Sequence, residues 1–174
     1  DLMTAFDKHQ VSRFRFVRCE FAAETGVARL VYAFDDGPEM VETITVPGAP
    51  FVLDEARAAA VQRALQLLHL IAGVSYYKAG VPETVSIDSY SIDADTAALV
   101  ETIYLNGLGE FAYRNGLNLR GRFRLPVQGE AMQAPSLGLQ PHALVAIGGG
   151  KDSLVSIEAL RRAGVDETRS EEHT

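Results

Sequence analysis

Between Ser12 and Val46 bulky apolar residues alternate with charged ones. In RFRFVRCEF, Phe14, Phe16, Val17 and Phe21 are interleaved with Arg13, Arg15, Arg18 and Glu20. A period of two puts one face of a strand in a core and the other in water. ETG offers a turn before VARLVYAF, and DDGPE a second turn before MVETITV, so the three runs predict a three-stranded antiparallel meander. The period changes after PGAPF. Asp54 stands as an N-cap to EARAAAVQRALQLLHLIAG, whose alanines and leucines recur every three or four residues, and an amphipathic helix is expected to end near Gly73. A short polar-aromatic connection, VSYYKAGVPETVSID, follows. DADTAALVETIYLNGLGEFAYRNGL then predicts a second long helix opened by Asp93 or Asp95. Gly107 and Gly109 lie inside it and mark a break, since each costs about 1 kcal/mol relative to alanine in a helix interior.

QGEAMQAPSLGLQP, rich in Gly, Pro, Ser and Gln, has the composition of a linker. Residues 1–135 are accordingly expected to form an α+β N-terminal domain of antiparallel strands followed by helices. Beyond the linker the pattern is new. Ala143 to Ile147 is apolar without alternation, which suits a buried parallel strand, and a helical pattern follows the glycines after it. The last six residues, RSEEHT, are what one frame of a common sequencing adapter encodes, so 169–174 is expected to be an adapter-derived tail. On that expectation the natural protein continues past Thr168.

Composition narrows the function classes. The chain has 174 residues, 47% hydrophobic and 22% charged, with a net charge of −7. That is ordinary for a globular protein and argues against a surface that coats nucleic acid, so no nucleic-acid partner is expected. Cys19 is the only cysteine, which excludes an internal disulfide and a metal site built from cysteines alone. No apolar run approaches the roughly 20 residues needed to span a bilayer, and DLMTAFDKHQ lacks the apolar centre of a secretory signal. A cytoplasmic protein without membrane insertion is the expectation. His69, set among leucines, is expected to be a packing residue. Arg120, Arg122 and Arg124 in RGRFRLP suit a solvated edge segment better than an anion site.

The chemistry concentrates at Gly148–Ser153, GGGKDS. A Walker loop would need glycine where Val145 stands and Ser or Thr where Asp152 stands. A dinucleotide fingerprint would need glycine in place of Ser153. The spacing fits the PP-loop of ATP pyrophosphatases, S-G-G-x-D-S, with Gly148 at the first serine. Glycines let the backbone approach an anion, and the following helix adds free N–H donors and the positive end of its dipole. Gly148, Gly149, Gly150, Lys151, Asp152 and Ser153 are the candidate ATP-binding residues, with Asp152 also a candidate for Mg²⁺. Residues 141–168 would then be the first strand, loop and helix of an α/β PP-loop ATP pyrophosphatase domain. A tight strand-to-helix turn is the plain alternative.

With SYYKAGVP (75–82) and YLNGLGEFAYRNGL (104–117), AIGGGKDS resembles the MurL family of bacterial UDP-N-acetylmuramoyl-L-alanyl-L-glutamate epimerases. The similarity runs over nearly all of residues 10–166. It implies an isomerase of peptidoglycan biosynthesis that inverts the terminal L-Glu of UDP-MurNAc-L-Ala-L-Glu to D-Glu, using ATP and Mg²⁺ and releasing AMP and pyrophosphate. The 174 residues alone would lack most of the ATP domain and be inactive. Within the resembling motifs, Lys78 and Glu110 are candidates for proton transfer. Tyr76, Tyr77, Arg114 and Asn115 are candidates for substrate binding. Packed tyrosines, an exposed lysine and a surface Glu110–Arg114 ion pair explain the same residues without a ligand. Two other functions stay open: another PP-loop adenylating enzyme (a ligase or a tRNA-modifying one), and a non-catalytic nucleotide-binding module. Cys19 lies far from the loop, which counts against sulfur transfer. The oligomeric state is left open.

Overall fold

Strands β1 (Arg13–Ala22), β2 (Val27–Phe34) and β3 (Met40–Thr45) form the expected antiparallel meander. The structure, a computed structural model, describes residues 10–131, 136–148 and 150–171. A fourth strand, β4 (Thr84–Ile87), lies parallel to β1 and completes a mixed sheet of order β3-β2-β1-β4. The sequence expectation missed it, because four residues are too short to show a period and the pairing partner lies some seventy positions earlier.

The alternation in β1 is real but changes phase. Phe14 and Phe16 are fully buried, then the register shifts between Phe16 and Arg18, and Cys19 is the next buried side chain. The extra residue, Val17, is a β-bulge: inserting one residue moves the inward set from even to odd positions. Without it, Arg18 would point into the core.

Helix α1 (Glu55–Ala72) begins at Asp54, whose carboxylate accepts from the Arg57 N–H at 2.8 Å. It buries Leu65, His69 and Leu70 against the sheet. The last carbonyls of a helix lack intrahelical donors, and here two core tyrosines help to supply them. The Tyr32 hydroxyl donates to His69 O at 2.9 Å and the Tyr104 hydroxyl to Leu70 O at 2.8 Å. Gly73 lets this end lie close to the core: a Cβ there would stand 2.5 Å from Phe16 Cε1 and 3.1 Å from Tyr104 Oη.

A one-turn helix, α2 (Val74–Tyr77), follows directly. Helix α3 (Ala94–Gly107) is capped by Asp93, which accepts from Thr96 N–H at 2.7 Å, and α4 (Gly109–Arg114) follows across Leu108. The break thus falls at the two glycines that mark it in the sequence. The core of this part joins Phe14, Phe16 and Tyr32 of the sheet to Leu70, Tyr77, Val100, Tyr104 and Phe123.

The chain divides into two compact units, residues 1–135 and 136–174. In the second, β5 (His142–Ile147) and β6 (Asp166–Glu171) pair in parallel, and α5 (Lys151–Ala163) connects them. Gly164 closes α5 with φ +66°, a conformation that favours glycine. Of the apolar run in β5 only Val145 is buried, while Leu144 is 74% exposed. One helix on a two-stranded ladder covers a single face of a strand whose pattern suits cover on both. Residues 169–171, in the expected adapter-derived tail, belong to β6; residues 172–174 of that tail lie outside the described residues. No helix among the described residues is long and apolar enough to cross a membrane.

Candidate functional site

The first unit carries a cleft of about 690 Å³. Three separated segments build it: Val11 and Ser12 just before β1, the loop from Lys78 to Thr84, and Phe111, Asn115, Leu117 and Arg122 around and beyond α4. The 78–84 loop is held from beneath by Tyr77. Its ring is fully buried, edge-on to Phe14, Tyr104 and Phe123, and its hydroxyl donates to Pro82 O at 3.2 Å. Burial pushes this phenol up to about 12, so it stays protonated at neutral pH. At Val81, φ is +47°. A β-branched residue there is a strained outlier; it is held by a Val81 N–H bond to Tyr77 O at 2.9 Å. Ser12, in the lining, donates its hydroxyl to Asp35 outside the cleft at 2.6 Å, and Asp35 also accepts from Arg13 N–H at 3.0 Å. Those bonds, the Ser12 hydroxyl first, hold its carboxyl below the usual range.

The residues singled out by sequence divide into four groups. Lys78 and Asn115 line the cleft together. Asn115 caps α4, its side-chain amide donating to Phe111 O at 2.8 Å. Tyr77 belongs to the core beneath. Tyr76 stacks on Tyr32 with ring centroids 4.8 Å apart and donates to Glu42 Oε2 at 2.7 Å, on the β3 side. Glu110 and Arg114 are both 74% exposed, form an ion pair at 2.8 Å one helical turn apart, and do not line the cleft.

Sequence reasoning missed Ser12, Thr84 and Arg122. The first two carry no local signal. Arg122 was visible in RGRFRLP, yet nothing local separates it from its neighbours Arg120 and Arg124; Arg124 pairs with Glu101 at 2.5 Å. His69 is a packing residue, as expected: it is fully buried and both ring nitrogens have partners at 3.0 Å, Tyr90 Oη and Val31 O. Burial also pushes the lone Cys19 thiol up to about 11, so it is no thiolate at neutral pH.

The second unit holds the glycine loop. Gly150 is the N-cap of α5, in extended conformation and without a side-chain cap, so the first-turn N–H groups are left open. A Cβ at Gly148 or Gly150 would meet nothing within 4 Å, which leaves room beside the backbone. Lys151 and Asp152 are exposed and Ser153 is half-buried, all in the first turn; Gly149 lies outside the described residues. This arrangement suits an anion. Among the described residues no group of three or more His, Cys, Asp or Glu is placed to hold a metal, at Asp152 or elsewhere.

A mixed four-stranded sheet packed on helices, followed by a strand–glycine loop–helix–strand unit, is thus the class of structure. The family described as the MurL N-terminal domain matches residues 5–171, across both units, and the chain belongs to it. It is 73% identical over 169 residues to the UDP-N-acetyl-alpha-D-muramoyl-L-alanyl-L-glutamate epimerase of Xanthomonas oryzae pv. oryzae (strain MAFF 311018), covering 97% of this chain and 38% of that protein. Proteins of the same name from Salinispora tropica and a Micromonospora species are each 39% identical over 164 residues, covering 90% of this chain and 35% and 36% of theirs. The chain therefore spans little more than a third of the length of these relatives. No solved structure matches it.

Proposed function

We propose that this chain contributes the N-terminal part of a cytoplasmic, ATP-dependent epimerase that inverts the terminal L-Glu of UDP-MurNAc-L-Ala-L-Glu for peptidoglycan synthesis. The observation that carries the reading is the 73% identity, over 97% of the chain, to a relative bearing that name. A carboxylate's charge makes the neighbouring Cα–H a very poor acid, so the chemistry needs activation. A glutamyl carboxylate oxygen attacks the α-phosphorus of ATP, the bond to the bridging oxygen breaks, and pyrophosphate leaves. In the resulting acyl-adenylate a base removes the Cα proton and the electron pair moves onto the carbonyl oxygen. A proton returns from the other face, and water cleaves the anhydride to release AMP and the D-glutamyl product.

Support for the ATP step comes from the open first turn of α5 and the space beside Gly148 and Gly150. There the N–H groups, Ser153 and Lys151 would meet phosphate oxygens. Mg²⁺ screens phosphate charge and commonly takes only one or two carboxylates besides the phosphates, a part Asp152 fits. The sequence and spacing (GGGKDS between strand and helix) make a PP-loop ATP pyrophosphatase domain the proposed continuation of the second unit. Glu110 is held in an exposed ion pair with Arg114 and does not line the cleft, which counts against it as the proton-transfer group.

The test uses the protein at the length of its relatives, with UDP-MurNAc-L-Ala-L-Glu, ATP and Mg²⁺. Chiral analysis of glutamate recovered after acid hydrolysis should show D-Glu, with deuterium from solvent at Cα and release of pyrophosphate. Absence of D-Glu would reject the proposal. D-Glu formed without ATP would reject its activation step.

A further inference from the structure

Arg122 is a poorly satisfied cation of the first unit's cleft. Its Nε is buried and has no hydrogen-bond partner among the described residues. Its nearest acid is Glu83, at 3.6 Å from Nη2, beyond the 2.7–3.2 Å of an N–H···O bond. Glu83 is 83% exposed, so that pairing is weak. By contrast, Arg15 meets Asp88 at 2.7 Å and Arg18 meets Glu39 at 2.6 Å on the neighbouring sheet. The side chain of Lys78, in the lining of the same cleft, has no hydrogen-bond or ion-pair partner among the described residues. Two cations are thus left open on one concavity of a chain whose net charge is −7. Glu83 is the only acid in the lining.

The rest of the lining sorts by chemistry. Thr84 and Asn115 add neutral polar groups, and Phe111, Leu117 and Pro82 supply an apolar wall with one ring. Arginine's planar fork and lysine's point charge are the two usual partners of phosphate oxygens. Pockets that bury small organic ligands commonly measure about 300–1,000 Å³, a range that includes this one.

We propose that this cleft binds the diphosphate of a nucleoside diphosphate sugar between Arg122 and Lys78, with the nucleoside or sugar ring against Phe111. Lys78 then holds an anion and does not move a proton. The cation pair and the cleft come from the structure; the choice of a sugar nucleotide rests on the epimerase reading, since the relatives' substrate carries a UDP group. The other anionic end of that substrate, the glutamyl carboxylates, is the rival occupant. Two bridged phosphates present two charges to two cations and the attached rings match the apolar wall, whereas a glutamyl group has no ring to place there.

Isothermal titration calorimetry on the 174-residue chain at low ionic strength decides this, with UDP, uridine and L-Ala-L-Glu as probes. UDP should bind at least about 10-fold more tightly than uridine, weaken as salt is added, and be unaffected by L-Ala-L-Glu. Lys78→Met and Arg122→Gln should each weaken UDP about 10-fold or more, and Arg29→Gln, at an exposed position of β2, should not. Lys78 is exposed, so its variant keeps the fold whatever Arg122→Gln does; in the unmutated chain the Arg122 Nε–H resonance should shift when UDP is added. UDP binding no tighter than uridine, binding that survives Lys78→Met, an unmoved Arg122 resonance, or L-Ala-L-Glu binding lost in these variants overturns the proposal. The two readings fail separately. D-Glu formation with no UDP binding to this chain removes the cleft assignment alone, and UDP binding without D-Glu formation removes the epimerase alone.

Discussion

Acidification from pH 7 to pH 5 should destabilise the first unit through one side chain, His69. Val31 O can only accept, so Nε2 carries the proton of the neutral ring and Nδ1 accepts from the Tyr90 hydroxyl. Protonation would not break this arrangement. Nδ1–H could donate to Tyr90 Oη, whose own proton can turn to Gln66 O at 3.4 Å. What opposes the charge is burial, among the rings of Phe16, Tyr32 and Tyr90, and it brings the imidazole from 6.5 down to about 4. Between those values the unfolded chain holds a proton that the folded chain refuses. Stability is therefore fully present above about pH 6.5 and falls as pH drops towards 4. A gap of about 2.5 units at 1.36 kcal/mol each gives about 3 kcal/mol in all, of which about 2 kcal/mol is gone by pH 5. Asp35, Asp54, Asp93 and Glu39 all titrate below their ordinary carboxylate values, so their losses come mainly at lower pH. All six tyrosines lie in the first unit, so urea unfolding followed by tyrosine near-UV circular dichroism reports on that unit alone. His69→Gln should be less stable at pH 7 but lose little more at pH 5. Parallel losses in wild type and variant, or an NMR titration of His69 near 6.5, would refute the reasoning.

Three further substitutions test the packing around this site and the exposed helix. Gly73→Ala places a Cβ 2.5 Å from Phe16 Cε1 and 3.0 Å from Tyr32 Cε1; both rings are fully buried and cannot yield, so a loss of about 1–3 kcal/mol is expected in urea unfolding. Tyr104→Phe leaves Leu70 O without its 2.8 Å donor at the buried end of α1 and should cost about 1–2 kcal/mol, read as a lower midpoint at unchanged m-value. Glu110→Ala removes an ion pair that is 74% exposed on both sides and should change stability by less than about 0.5 kcal/mol. In the protein at the length of its relatives, unchanged solvent-proton exchange at glutamate Cα in the Glu110→Ala variant would remove Glu110 from proton transfer.

The meander, α1 and the helix break were legible because each rests on a local rule. A strand's period, the Asp54 and Asp93 caps, and two glycines around Leu108 act within a few residues. The phase change at Val17 left only a faint trace, the adjacent apolar pair Phe16–Val17 within an otherwise strict alternation. β4 left none, because a parallel partner for β1 is selected through the long crossover that contains α1, and TVSI by itself could as well be loop. In the second unit the strand, glycine turn and helix were legible for a different reason, since they follow one another directly; β6 was not, because its residues carry no apolar alternation and 169–171 were expected to be tail.

The cleft is the opposite case, since its walls come from three segments more than a hundred residues apart at the extremes. Its loop nevertheless explains why SYYKAGVP is worth reading as a unit. Tyr77 turns inward and ties its hydroxyl to Pro82 O, which closes the loop over the core and leaves the next residue, Lys78, on the open side. Gly80 is needed where the loop crosses the start of β1, for a Cβ there would lie 2.5 Å from Val11 Cγ2 and 3.1 Å from Phe34 Cε1. Val81 then takes its strained φ of +47° under a hydrogen bond from its own N–H to Tyr77 O. Three features of one motif thus converge on leaving the Lys78 side chain unpaired in the same cleft as Arg122. Strain of that kind costs roughly 1–3 kcal/mol, which the Val81 N–H bond to Tyr77 O and the buried ring of Tyr77 help to offset. The pair of tyrosines that draws the eye in the sequence is scaffold, and the lysine beside them is what the scaffold displays.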